Sequence, residues 1–326
     1  MSAATIDLAG FQPENCPAIC LMGPTASGKT ALAIELVQRL PMEIINVDSA
    51  QIFREMDIGT GKPDAATLAL APHRLIDFLD PAQSYSAAQF CIDARREMQN
   101  IREQGKVPLL VGGTMLYFKA LRDGLAAMPA ADQAVRDEIS GLADAEGWVA
   151  VHQRLAEVDP QSAQRIHPND PQRLQRALEV FMVSGRPMSE LHEQQASLAT
   201  SEPLLFLSIQ PSQRSVLHMK IERRFLQMVA DGLVAEVERL YRRGDLNTTM
   251  PSVRCVGYRQ VWQYLDGEFS YDEMLERGII ATRQLAKRQV TWLRSWADLT
   301  DFNSESSDVL DKVLKTIQAA SISLLR

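Results

Sequence analysis

Residues 23–30 read Gly23-Pro24-Thr25-Ala26-Ser27-Gly28-Lys29-Thr30, and this octapeptide decides the fold. It fits G-x-x-x-x-G-K-[ST], a loop whose backbone N–H groups turn inward around a phosphate, with the lysine as a point charge and the last hydroxyl available to Mg²⁺. The pattern carries meaning only between a strand and a helix. Ahead of it, residues 18–22 (AICLM) form a short apolar run. Behind it, residues 30–40 (TALAIELVQRL) repeat apolar side chains at helical spacing. A helix opening at the loop adds the positive end of its dipole to the phosphate site. The octapeptide implies that a diphosphate is bound and leaves open which one.

Further along the chain, residues 43–47 (EIINV) read as a second strand ending at Asp48, residues 86–104 as an amphipathic helix, and residues 107–111 (VPLLV) as a buried strand closed by Gly112-Gly113. Strands alternating with helices predict an α/β fold: a parallel sheet with helices on both faces. The pattern then changes. From Pro129 to about Ala199 no strand is expected; segments 132–145, 148–157 and 170–184 have helical period, broken at Gly147, Pro160, Pro168 and Gly185-Arg186-Pro187. Residues 204–209 (LLFLSI) return to buried-strand composition and are expected to rejoin the first sheet. Helices follow at 212–243, 257–265 and 271–296, then a loop at 303–308 and a terminal amphipathic helix. Two domains are expected: residues 1–128 with 200–326, and a helical insertion over 129–199.

Composition bounds the function. The 326 residues carry 34 Lys+Arg against 41 Asp+Glu, a net charge of -7, which excludes a wholly basic coat for nucleic acid but not a local basic face. No apolar run approaches the ~18 residues a membrane span requires, and the first residues (MSAATIDLAGFQPENCP) lack a secretory pattern, so a cytoplasmic protein without membrane contact is expected. Cys16, Cys20, Cys91 and Cys255 form no closely spaced couples, which argues against a zinc site or a disulfide scaffold. His192-Glu193 lacks the second histidine of a metalloprotease helix.

Asp48-Ser49-Ala50-Gln51 follows the second strand. Ligands in an open α/β sheet sit beyond the carboxyl ends of the strands, so Asp48 is expected to face the same crevice as the phosphate loop. A helix N-cap and the metal-binding acid of an ATPase are alternative roles; the strand VPLLV ends in Gly-Gly-Thr without an acid, which weakens the second. Gly59-Thr60-Gly61-Lys62-Pro63 reads as a glycine-rich loop, and Thr114 offers a hydroxyl at a strand end. From Arg277 to Arg294 five cations (Arg277, Arg283, Lys287, Arg288, Arg294) occur with no acid, alongside Trp292 and Trp296. Either this is a surface helix paired with acids elsewhere, or it joins Arg254, Arg259, Arg165, Arg173 and Arg176 in gripping a folded RNA backbone.

Taken in order, GPTASGKT, NVDSAQIFREMDIGTGKP, VPLLVGGTMLYFKAL, NDPQRLQRALEV, RCVGYRQ and KRQVTWLR resemble the bacterial tRNA dimethylallyltransferases, the IPP transferase family, over about residues 18–296. The resemblance implies a P-loop, nucleotide-kinase-like core with a helical insertion and a helical C-terminal region. It implies transfer of a dimethylallyl group from dimethylallyl diphosphate to N6 of the adenosine immediately 3′ of the anticodon, in tRNAs reading codons that begin with U, with Mg²⁺ assisting. No obligate protein partner is implied, and a monomer is expected. Gly23, Pro24, Thr25, Ala26, Ser27, Gly28, Lys29 and Thr30 then hold the diphosphate, with Arg224 reaching it, and Thr30 meets the metal. Asp48 takes a hydrogen bond, and the proton, from the adenine amine, as part of a catalytic set with Lys29 and Thr30. Ser49, Ala50 and Gln51 lie beside the target nucleotide. The implied tRNA contacts are Thr114 and Arg136; Gln172, Arg173, Leu174, Gln175 and Arg176; Arg254, Cys255, Val256, Gly257, Tyr258 and Arg259; and Lys287, Arg288, Gln289, Val290, Thr291, Trp292, Leu293 and Arg294. Family members often carry Ala at position 61, where this chain has Gly. Two rival readings share the same core: a small-molecule or nucleotide kinase, and a non-catalytic P-loop switch that binds RNA.

Overall fold

The computed structural model describes residues 11–126, 128–193 and 202–323. The secretory-signal reading of the first ten residues and the end of the helical insertion, 194–199, lie outside them. In chain order, β1 (Ala18–Met22) leads through the glycine-rich loop into α1 (Lys29–Arg39), followed by β2 (Met42–Val47), α2 (Ala65–Leu70), β3 (His73–Arg74), α3 (Ala87–Glu103), β4 (Val107–Gly112) and α4 (Met115–Asp123). A run of helices comes next: α5 (Gln133–Glu146), α6 (Trp148–Val158), α7 (Pro160–Arg165), α8 (Pro171–Ser184) and α9 (Met188–Glu193). The sheet resumes with β5 (Leu204–Gln210), then α10 (Arg214–Ala230), α11 (Leu233–Tyr241), α12 (Tyr258–Leu265), α13 (Tyr271–Arg294), β6 (Leu299–Asn303) and α14 (Val309–Ser323).

The six strands form one sheet in the order β3-β2-β4-β1-β5-β6, and every neighbouring pair is parallel. This is the α/β architecture expected from the alternation. β1 and β4 are buried at every position, because a central parallel strand is covered on both faces and needs no polar side. From β1 the chain crosses to β2 on one side; β5 lies on the other side of β1. The crevice where ligands bind opens at that reversal, beyond the carboxyl ends of β1 and β4.

The chain forms two compact units, Met1–Phe118 with Ser201–Arg326, and Lys119–Thr200. In the first, one core packs Leu32, Ala33 and Leu36 of α1 and Val313, Leu314 and Ile317 of α14 against the sheet. A second core gathers Ile52, Phe53, Phe225, Val237, Tyr258, Trp262 and Met274. In the other unit, Ile139, Val151, Leu155, Leu174 and Leu178 make a helical core of their own. Two acids hold that unit together. Asp159 caps α7 through the Ser162 N–H (3.0 Å) and accepts from the Ser189 N–H and hydroxyl (3.0 and 2.6 Å). Glu179, fully buried, takes ion pairs from Arg136 (2.8 Å) and Arg176 (2.7 Å).

Several expected elements change. Residues 299–303 are a strand: they alternate weakly, and as an edge strand β6 is half exposed, so no apolar signal marks it. The helix expected over 212–243 is two, divided at Gly232, whose φ of 106° lies in the left-handed region. The helix expected over 271–296 ends at Arg294. The short α2, β3, α7 and α9 fall below the length at which periodicity is legible, and α4 was not foreseen.

Candidate active site

Residues beyond the carboxyl ends of β1, β2 and β4 enclose a crevice of about 440 Å³. On its floor the glycine-rich loop is wound tightly. The Ser27 N–H donates to the Pro24 carbonyl (3.2 Å), and Gly28 takes φ 95° to launch α1 without a side-chain cap. Lys29 Nζ folds back to the Pro24 carbonyl (3.3 Å). Burial pulls the Lys29 ammonium down to about 8; Asp48 opposes that shift and the Arg224 guanidinium reinforces it. A half-buried, desolvated cation with no carboxylate within ion-pair distance among the described residues is a site prepared for an anionic ligand.

Asp48 emerges directly from β2. Its Oδ1 accepts from the Ala50 N–H (2.9 Å), an Asx turn that aims the DSAQ segment across the crevice. No helix begins there, the next being α2 at Ala65, so Asp48 is not a helix cap. The Thr114 hydroxyl oxygen accepts from the Ser49 N–H (3.0 Å), joining the ends of β2 and β4. Gln51 Nε2 donates to the carbonyls of Thr60 and Gly61, both at 3.2 Å, so the GTGKP loop holds Gln51 in place. One wall is apolar, built from Ile221, Phe225, Met228 and Leu285. The Cys255 thiol lines the crevice and donates to the Pro251 carbonyl (3.4 Å); burial and the charge of Asp48 push it up to about 12, which favours the thiol over the thiolate.

No group of three or more His, Cys, Asp or Glu able to hold a metal occurs among the described residues. Among the oxygen donors lining the crevice are the Thr30 hydroxyl and the Asp48 carboxylate. That set suits Mg²⁺, which keeps several waters and binds through one or two side chains together with substrate phosphates.

A family model described as IPP transferase matches residues 51–296, and one described as isopentenyl transferase matches residues 17–77. The chain belongs to the IPP transferase family. A full-length tRNA isopentenylpyrophosphate transferase from Bacillus halodurans is 34% identical, with 94% of this chain and 97% of that chain covered and a TM-score of 0.69. A tRNA delta(2)-isopentenylpyrophosphate transferase from Staphylococcus epidermidis is 31% identical, with 93% and 99% covered and a TM-score of 0.66. A eukaryotic dimethylallyltransferase acting on tRNA, at 24% identity, covers 94% of this chain and 79% of its own with a TM-score of 0.78, a likeness of fold. Among the three readings left open by the sequence, membership selects the enzyme of prenyl transfer to tRNA.

Within this prenyltransferase the expected site residues separate into groups. Thr25, Ala26, Lys29, Thr30, Asp48, Ser49, Ala50, Gln51, Thr114, Arg224, Arg254, Cys255, Val256, Gly257, Arg288 and Gln289 all line the one crevice. Gln172, Arg173, Arg259, Lys287, Thr291 and Arg294 are solvent-facing cations and polar groups outside it. Lys287 and Arg294 have no carboxylate partner among the described residues, whereas Arg283 pairs with Glu222 (2.7 Å) and Arg277 lies over the Phe269 ring (4.8 Å to its centroid).

Other expected contacts are corrected by burial. Leu174 and Leu293 are core side chains, fully or nearly fully removed from solvent, and neither is available to RNA; Tyr258 lines the crevice with its neighbours but is only 1% exposed, its hydroxyl on Glu236. The Ser27 side chain is buried beneath the loop. Gln289 is also buried: its Oε1 accepts from the Thr25 N–H (2.9 Å) and its Nε2 donates to the Gly113 carbonyl (2.9 Å), so it clamps the phosphate loop to the end of β4. Arg136 and Arg176, each partly exposed, pair with Glu179, because a fully buried carboxylate needs those cations, and Gln175 Nε2 donates to the Arg136 carbonyl and the Ser140 hydroxyl. Val290 packs on Leu217 and Ile221, and Trp292 is half-buried. Sequence reasoning missed Glu236 and the buried Asn46, whose Nδ2 donates to the Leu75 carbonyl (3.1 Å); a single acid or amide inside an apolar run carries no signal in the sequence alone.

Proposed function

We propose that the crevice transfers the dimethylallyl group of dimethylallyl diphosphate to N6 of the adenosine immediately 3′ of the anticodon, in tRNAs reading codons that begin with U. The observation that carries this reading is one cavity holding three unlike surfaces: a phosphate loop with a half-buried lysine, a strand-end carboxylate, and an apolar wall of Ile221, Phe225 and Met228. A kinase crevice needs the first; only a five-carbon chain beside its diphosphate needs all three.

In this reading the loop N–H groups, Lys29 and Arg224 bind the diphosphate, and the apolar wall receives the isoprenoid. The target base leaves its stack to enter the crevice, as for other base-modifying enzymes. The bond from the allylic C1 to the diphosphate oxygen breaks while N6 bonds to C1. Asp48 accepts the N6 proton, and the electron pair leaves with diphosphate. Lys29 and the loop stabilise the charge developing on the leaving group, and holding the reactants in line supplies further rate. The Thr30 hydroxyl would hold Mg²⁺, which when bound would supply additional neutralisation of charge on the leaving group.

The test is incubation with tRNA, dimethylallyl diphosphate and Mg²⁺, digestion, and detection of prenylated adenosine for wild type and for Asp48→Asn. The asparagine keeps size and a hydrogen bond but takes no proton. A general base contributes roughly 10²–10⁴-fold, so the single-turnover rate is expected to fall by that order with tRNA and diphosphate affinities changed only a few-fold. No prenylated adenosine from wild type overturns the function, and a wild-type rate from Asp48→Asn overturns the role of Asp48.

A further inference from the structure

Glu236 is 1% exposed, does not line the crevice, and pairs with no cation among the described residues. Four donors converge on its carboxylate. Oε2 accepts from the N–H groups of Asp57 (3.1 Å) and Ile58 (2.8 Å), and Oε1 accepts from the Gly59 N–H (3.1 Å) and the Tyr258 hydroxyl (2.5 Å). Three successive backbone N–H groups wrapped around one anion form a nest, a geometry that fixes the backbone making it. A buried carboxylate is costly, and a well-packed apolar residue would hold α11 in place at less cost.

The nested segment continues into the crevice. The Thr60 hydroxyl donates to the Met56 carbonyl (2.6 Å), and the carbonyls of Thr60 and Gly61 accept from Gln51 Nε2. Gly61 has φ +62°, and a Cβ there would collide with the Arg224 guanidinium, so the loop and Arg224 are in direct contact. Tyr258, the fourth donor, belongs to the segment whose Cys255, Val256 and Gly257 form the facing wall.

We infer that Glu236 is a positioning residue for prenyl transfer: from outside the crevice it sets the Asp57–Gly61 backbone, and through that backbone the placement of Gln51 beside the target nucleotide. The inference rests on the transferase reading above. Glu236 touches no substrate. Its carboxylate matches donors that an amide cannot match, because the NH₂ of a glutamine would face backbone N–H groups.

The test uses the full chain in single-turnover transfer at saturating tRNA and dimethylallyl diphosphate, with wild type, Glu236→Gln, Gln51→Ala and the double variant. A small displacement of a positioning group is expected to slow Glu236→Gln by roughly 10- to 100-fold, with both affinities within a few-fold of wild type. The double variant is expected to be no slower than the slower single variant, since both changes act on one side chain. Tyr258→Phe, which leaves the three backbone donors, is expected to show a smaller loss and the same non-additivity with Gln51→Ala; it carries the test if Glu236→Gln fails to fold. Wild-type turnover per folded molecule with a lowered melting temperature, or losses that multiply in the double variant, overturn the inference and leave Glu236 a stability residue. Absence of product from wild type instead overturns the transferase reading itself.

Discussion

Lys29 shows how one residue links burial to binding. Its folded pKa, about 8, lies below the ordinary lysine value of 10.5 because the crevice desolvates the ammonium. A bound diphosphate favours the charged form. Below pH 8 the free enzyme already carries that charge and affinity is flat; above it, binding must take up a proton, so affinity falls as pH rises through the free-enzyme value. The dissociation constant for dimethylallyl diphosphate is expected to be constant from pH 7 to about 8 and then to weaken by about tenfold per unit. Lys29→Arg stays charged throughout, and the break in its profile should vanish even if affinity drops overall. Calorimetric titration across pH 7–9.5 checks both; a flat wild-type profile contradicts the assignment.

At the scale of an element, α13 carries two duties on different faces. Its first turn holds Asp272 and Glu273 and its last turn Arg294, an ordering that suits the helix dipole and accounts for part of the one-sided run of cations. Toward the crevice it presents Arg288 and the buried Gln289; on another face Lys287, Thr291 and Arg294 stand with Arg214 and His218 around a second groove of about 400 Å³. The sequence marked the helix and its charge. It did not distinguish Gln289, a structural clamp, from Lys287 and Arg288 beside it, because adjacent helical positions diverge in direction only when a neighbouring element is in place. Lys287→Ala with Arg288→Ala is expected to weaken tRNA binding and flatten its salt dependence, by roughly 0.7–0.9 in log–log slope for each phosphate that is no longer neutralised. Filter binding between 50 mM and 200 mM salt reads the slope, and an unchanged slope would assign these cations to the surface alone.

At the scale of the whole molecule, the unit spanning Lys119–Thr200 depends on ionised acids. Burial pushes the Glu179 carboxyl up, but Arg176 and Arg136 together outweigh it, and its pKa falls below the ordinary 4.5. A depressed carboxylate contributes stability that is fully present above pH 4.5 and is lost as pH falls through the folded value. Glu179→Gln is therefore expected to cost about 1–3 kcal/mol at pH 7, the lower part of the range for buried pairs because both arginines are partly exposed. The difference from wild type should be smaller at an acidic pH than at pH 7, because protonation of Glu179 removes the charge that glutamine lacks. Urea unfolding at the two pH values checks this; a constant difference would mean that packing, not charge, is what the glutamine loses.

Residue order is enough to dictate the parallel α/β core, because a phosphate loop between an apolar run and a helical period has one structural solution. It is also enough to set Asp48, Ser49, Gln51 and Thr114 at strand ends over that loop. These are local facts of spacing. Packing in three dimensions was needed to make Leu174 and Leu293 core while their sequence neighbours face solvent, to pair Arg136 and Arg176 with Glu179, and to pair residues 299–303 with β5 as an edge strand. The physical reason is common to all of them. Burial and ion pairing are set by which distant segment packs alongside, and a motif of six or eight residues fixes the chemistry it offers without fixing which of its side chains the fold leaves free to use it.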